Sequence, residues 1–166
     1  MTKHTYLWTV AGLVLGSAFV AGSVATAAPT GRQDAVLGVA TTDDGTDTFA
    51  IDAFSDPSGR RPGGTVYGQQ GDLSAGGVYT LERVVCFAVE GARATVGTQI
   101  LTTNIAGTPA GTYQVYSFVD NAAAGKPDLI GGGWLGATAP TCEIDHSDPP
   151  AGYAPIVSGD ITITDN

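Results

Sequence analysis

The chain is poor in the side chains that most enzymes use. Of its 166 residues, two are histidine, two cysteine and one methionine, and lysine plus arginine total seven. His4 lies at the extreme N-terminus, so a Ser-His-Asp arrangement in the rest of the chain would have to use His146. That residue stands in Asp145-His146-Ser147-Asp148, just before Pro149-Pro150, a stretch that reads as exposed loop. No G-x-S-x-G elbow is present. The scarcity of basic residues excludes the clustered Lys/Arg surface that nucleic acids require. It also excludes electrostatic attraction to anionic membranes. Sixteen acids against those seven bases leave a formal charge of -9, which suits solubility outside a cell.

Charge is absent altogether from Thr5 to Gly31. Lys3 precedes this stretch, its most apolar part runs from Tyr6 to Val20, and Ala25-Thr26-Ala27 follows. Positive n-region, apolar h-region and small residues at an A-x-A site form the pattern of a helical secretory signal. Cleavage is expected after Ala27, because a cut after Ala28 would place Pro29 beside the scissile bond. The competing reading is an uncleaved anchor, since the stretch is long enough to span a bilayer. Its glycines, serines and alanines dilute that possibility. No cysteine near the site offers lipid attachment, no twin-arginine pair precedes the apolar run, and no apolar C-terminal segment would hold the product at a surface. The expected organisation is a signal peptide at 1–27, a flexible leader with a possible edge strand at 28–40, and a single β domain at 41–166.

The two cysteines, Cys86 and Cys142, both fall in the mature part. In an exported chain an isolated pair is most simply a disulfide. Their spacing matches neither C-x-x-C nor a zinc site. Closing a loop of this length contributes about 4 kcal/mol by chain-entropy arithmetic.

No mature segment carries sustained helical periodicity. Apolar or β-branched runs alternate instead with Gly/Pro/Asp/Asn clusters, which reads as all-β. Thr48–Phe54 alternates, with Phe49, Ile51 and Ala53 on one side. Val78–Glu90 is the strongest strand. Its faces are Leu81, Arg83, Val85, Phe87, Val89 and Glu82, Val84, Cys86, Ala88, and both turn apolar past Val84, so its second half should be covered on both sides. Glu90-Gly91 reads as a tight hairpin into Ala92–Leu101, with Ala94, Val96 and Ile100 inward. Further strands are expected at Thr65–Gly68, Thr112–Val119 and Pro155–Thr164. Asp120–Gly133 reads as a long loop or broken segment. Seven to nine short strands at roughly ten-residue spacing fit an antiparallel β-sandwich or a closed β-barrel, and the pattern does not separate the two.

Several segments occur in a familiar order: Phe49-Ala50-Ile51-Asp52-Ala53, Asp56-Pro57-Ser58-Gly59 through Gly63-Gly64-Thr65-Val66, the hairpin from Val85-Cys86 to Val96-Gly97, Val119-Asp120-Asn121 with Pro127-Asp128, and Val157-Ser158-Gly159-Asp160-Ile161. Over roughly 48–164 the chain resembles a group of small secreted actinobacterial β-domain proteins with no established activity. The resemblance implies a fold and export, and it carries over no catalytic residue.

Candidate sites are therefore sparse. Asp120 with Asp128 is the least implausible carboxylate pair for a hydrolase, but aspartate in turns commonly bonds nearby backbone N–H groups. Asp43-Asp44-Gly45-Thr46-Asp47 lacks the ligand spacing of a calcium loop. Aromatics suit stacking on a sugar or peptide, so Trp134, Tyr113 and Tyr116, with Asp120 and Asp128, are the candidate binding residues. No cofactor, metal or catalytic residue is expected. The sequence favours a secreted, monomeric, non-catalytic domain that binds an extracellular glycan or protein or has a structural role. The alternatives are a small hydrolase using loop carboxylates and a protease inhibitor presenting the loop near Cys142.

Overall fold

The computed structural model describes residues 33–42, 45–147 and 152–166. The signal segment and Asp148-Pro149-Pro150 lie outside them. Within the described residues eight antiparallel strands close into a barrel in sequence order: β1 (Asp34–Thr42), β2 (Asp47–Ser55), β3 (Gly63–Gln70), β4 (Val78–Glu90), β5 (Arg93–Thr103), β6 (Tyr113–Val119), β7 (Leu129–Gly136) and β8 (Tyr153–Thr164). The fold is thus all-β, and of the two architectures left open by the sequence it is the barrel. The closing contact is β8 on β1, from Ala35↔Thr164 to Thr42↔Ile156. Residues 34–42 therefore pair on both sides. They are a central part of the barrel, where the sequence suggested an edge strand in a leader.

Alternation sends one face of each strand inward. Val36, Ala40, Ile51, Ala53, Val66, Val96, Phe118, Ile130 and Ile161 form the packed interior, and eight strands leave an interior that side chains nearly fill. The outer face mixes Asp52, Arg83, Gln99 and Asp160 with exposed Leu37, Val39 and Leu101. Apolar-inward is the reverse of a barrel whose lumen is polar and whose outside meets lipid. No helix among the described residues is long and apolar enough to cross a membrane.

Strand β4 shows how register sets the interior. Thr80, Glu82 and Val84 are buried, and past a bulge between Val84 and Cys86 the buried residue is Phe87. The extra residue at Val85 moves the inward face from even to odd positions, as a bulge must. Cys86 consequently points outward and bonds Cys142, with Cα atoms 5.8 Å apart. The segment 137–147 lies as a strap over the outside of β4 and β5. Thr95 Oγ1 donates to the Glu143 carbonyl at 2.8 Å, and Arg93 Nη1 donates to the carbonyls of Asp145 at 2.7 Å and Ser147 at 3.1 Å. A side chain at Gly97 would overlap the Sγ of Cys86 and crowd Pro140, so glycine there seats the disulfide. The second half of β4 is covered on both sides, by the core within and the strap without.

Sequence reading placed a loop over Asp120–Gly133, yet β7 begins at Leu129. Gly131-Gly132-Gly133 lacks strand propensity; here the missing Cβ of Gly132 leaves room for the Tyr116 ring. The strand β7 pairs with β8 only from Leu129↔Pro155 to Gly131↔Tyr153.

Candidate functional site

Of the residues that sequence reasoning singled out, Asp120 and Asp128 are brought together on β8, whereas Tyr113 and Tyr116 are separated. Asp120 and Asp128 lie at the barrel end that carries the β4–β5 hairpin, beside β8 where β7 no longer pairs with it. Asp128 is buried; its Oδ1 accepts from the Asn121 N–H at 2.8 Å and its Oδ2 from the Ile161 N–H at 3.2 Å. Asp120 Oδ2 accepts from the Ile163 N–H at 3.3 Å and its Oδ1 from the Ala122 N–H at 3.0 Å. These carboxylates take the place of a neighbouring strand and complete the seam. Tyr113 and Tyr116, three residues apart on one strand, fall on opposite faces. Tyr113 is on the outer face, whereas Tyr116 is 3% exposed and inside the barrel. The backbone of Trp134 pairs with Val115, and its side chain lies outside the described residues. His146 is well exposed and 3.7 Å from Glu90. Asp56 and Asp145 are turn formers held below the usual carboxylate range, Asp56 chiefly by the hydroxyl of Ser58 and Asp145 chiefly by the backbone N–H of Ser147. The described residues hold no group of three or more His, Cys, Asp or Glu able to bind a metal.

The site that the fold does build is inside. Val78, Thr80 and Glu82 descend the inward face of β4 from one end of the barrel, the end formed by the β1–β2, β3–β4 and β5–β6 connections. Cross-strand pairing lays Asp47 beside Gln70 and Gln70 beside Val78 at the rim. The next level holds Phe49, Gly68 and Thr80, and the one below holds Ile51, Val66 and Glu82. A cavity of about 160 Å³ opens there, lined by Asp47, Phe49, Thr80, Ile105, Gln114 and Tyr116 among others. Among the described residues no basic side chain lines it.

Glu82 lies beneath the lining residues Thr80 and Tyr116 and does not itself line the cavity. It is fully buried. Its Oε1 accepts from Thr80 Oγ1 at 2.6 Å and from the Tyr116 hydroxyl at 2.7 Å, and its Oε2 accepts from Thr98 Oγ1. Among the described residues it has no salt-bridge partner. Burial, then the adjacent Glu82 charge, pushes the Tyr116 phenol well above its ordinary range, so Tyr116 stays a neutral donor. Phe49 meets the Tyr116 ring edge-on at 6.0 Å, and Phe118 stacks on its other side at 6.3 Å. Gln114 Oε1 faces inward from β6, buried and without a hydrogen-bond partner.

Sequence reasoning missed Glu82, Thr80, Thr98 and Gln114. One signal was available: Arg83 and Glu82 are neighbours on a strand flanked by others, so one of the two must point inward. An arginine is the costlier of the two to enclose in an apolar barrel without a partner, whereas three hydroxyls can satisfy a carboxylate. No protein-family model, curated protein or solved structure matches this chain.

Proposed function

We propose that this protein is an exported barrel that binds a small ligand in the open end of its interior. Glu82 carries the reading. Enclosing a carboxylate without an opposite charge costs stability even when hydroxyls satisfy it, and an apolar residue would fill the same position more stably. Its position behind the cavity wall, where it accepts hydrogen bonds from the lining residues Thr80 and Tyr116, supports a role in recognition. Small-molecule sites combine apolar walls with a few convergent polar groups, often in the mouth of a barrel. Binding is favoured over catalysis by loop carboxylates because Asp120 and Asp128 are already engaged by backbone amides. An inhibitory loop near Cys142 is disfavoured because that segment is tied flat against β4 and β5. Export follows from the Tyr6–Ala27 segment and suits the Cys86–Cys142 bond; it also suits the resemblance to small secreted actinobacterial domains.

Titrating the mature chain 28–166 with a library of fragments of up to about eight heavy atoms, followed by NMR, tests the site. Shifts are expected on Thr80, Gln114 and Tyr116. Shifts confined to the outer groove of Leu37, Val39 and Tyr67 would replace the interior site with a surface one. For export, the intact mass of protein from culture medium should match 28–166 less two hydrogens, and a full-length membrane-associated species would overturn it.

A further inference from the structure

We propose that the occupant of this cavity is a small organic cation bearing N–H donors, an alkylammonium or a guanidinium. The inference rests on the interior-site reading and specifies its ligand class. It follows from counting protons. Thr80, Thr98 and Tyr116 each have one hydroxyl proton, and each directs it to Glu82. What Thr80 and Tyr116 then offer the cavity is lone pairs. Gln114 Oε1 adds an acceptor with no donor facing it. Glu82 itself is fully buried behind Thr80 and Tyr116 and acts on the cavity through its charge rather than by contact. Asp47 places a second carboxylate at the rim.

The deep end of the cavity thus offers acceptors, and negative charge stands at the rim in Asp47 and behind the wall in Glu82; the donors in the lining are the side-chain amides of Gln69, Gln70 and Gln114 and the Tyr79 hydroxyl. An anion would be repelled by Asp47 and by the Glu82 charge, whereas a cation with several N–H groups would supply the missing charge and offer a donor to Gln114 Oε1 as well. An aromatic face, unlike the positively polarised ring edge, attracts a desolvated cation, and the Phe49 and Tyr116 rings both line the cavity. The volume limits its size: about 160 Å³ is close to that of an engineered cavity that admits benzene. Metal ions are less suited, because the described residues contain no cluster of three or more His, Cys, Asp or Glu.

Isosteric pairs test the charge directly on the unaltered mature protein: tert-butylammonium against tert-butanol, and guanidinium against urea at millimolar concentration, with potassium and calcium as further arms. Binding is read by shifts of the Gln114 side-chain amide and by calorimetry. The expected result is that each cation binds at least tenfold more tightly than its neutral isostere. That preference should fall several-fold in Asp47→Asn, a rim change that leaves the core intact, and vanish in Glu82→Gln where that variant folds. If the neutral isosteres bind as well as the cations, the interior site stands and the cation assignment is overturned. If only potassium or calcium binds, an inorganic site replaces the organic one. If no probe binds while other fragments shift the cavity residues, the cation assignment alone fails. If nothing reaches the cavity, the interior-site reading fails with it.

Discussion

Replacing Tyr116 with phenylalanine removes one hydroxyl from the barrel interior and nothing else. In the folded protein that hydroxyl donates to Glu82 Oε1 at 2.7 Å, with Tyr116 3% exposed and Glu82 fully buried. A hydrogen bond to a charged group contributes about 1.5–3 kcal/mol, and Glu82 keeps its bonds from Thr80 and Thr98. The expected loss is therefore about 2 kcal/mol, a fall in Tm of roughly 5–10 °C for a domain of this size. Urea denaturation at pH 7 followed by circular dichroism measures it, and a double-mutant cycle with Glu82→Gln should return a coupling of about 1–2 kcal/mol. The pH dependence gives an independent check. The Tyr116 pKa is raised on folding, so its contribution is fully present below the unfolded phenol value of about 10 and is lost as pH climbs above it. The unaltered protein should lose stability faster between about pH 10 and 11 than the phenylalanine variant. A variant equal in stability to the parent, with zero coupling to Glu82, would refute the claim that the hydroxyls hold this buried charge.

Three further outcomes are expected. Reducing Cys86–Cys142 should cost about 4 kcal/mol by loop entropy and expose 137–147 to proteases while the barrel keeps its β circular dichroism; an uncut strap would mean that the Thr95 and Arg93 hydrogen bonds suffice. The Asp128→Ala change leaves the Asn121 and Ile161 N–H groups without their carboxylate acceptor and should cost about 2–4 kcal/mol, with hydrogen exchange at Ile161 accelerated. Protection unchanged at that amide would remove Asp128 from the seam. Placing alanine at Gly97 should hinder closure of the disulfide, giving free thiols in a thiol assay of the purified protein; full oxidation with unchanged stability would contradict the crowding at that position.

Alternation made the central strands legible. Val78–Glu90 has the bounds read from sequence, and Phe49, Ile51 and Ala53 share the face expected of them. The strand β7 was not legible, because its three consecutive glycines carry no propensity, and two of them, Gly131 and Gly132, make room for the rings of Tyr153 and Tyr116 instead. The interior site was hidden for a different reason. Polar residues occupy both faces of β4, and a one-residue bulge exchanges the faces midway, so no local pattern places Glu82 against Tyr116, 34 positions later.

The sequence by itself determined that the chain is β, where most strands lie, and that its two cysteines pair, because strand alternation, turn residues and an isolated cysteine pair are local or compositional facts. Only the tertiary structure decided that β8 returns to β1 to close a barrel, and that closure encloses Glu82 while the aspartates at 120 and 128 finish its seam. The reason is physical: side-chain period specifies a face, but register and closure depend on pairing between residues far apart in the chain.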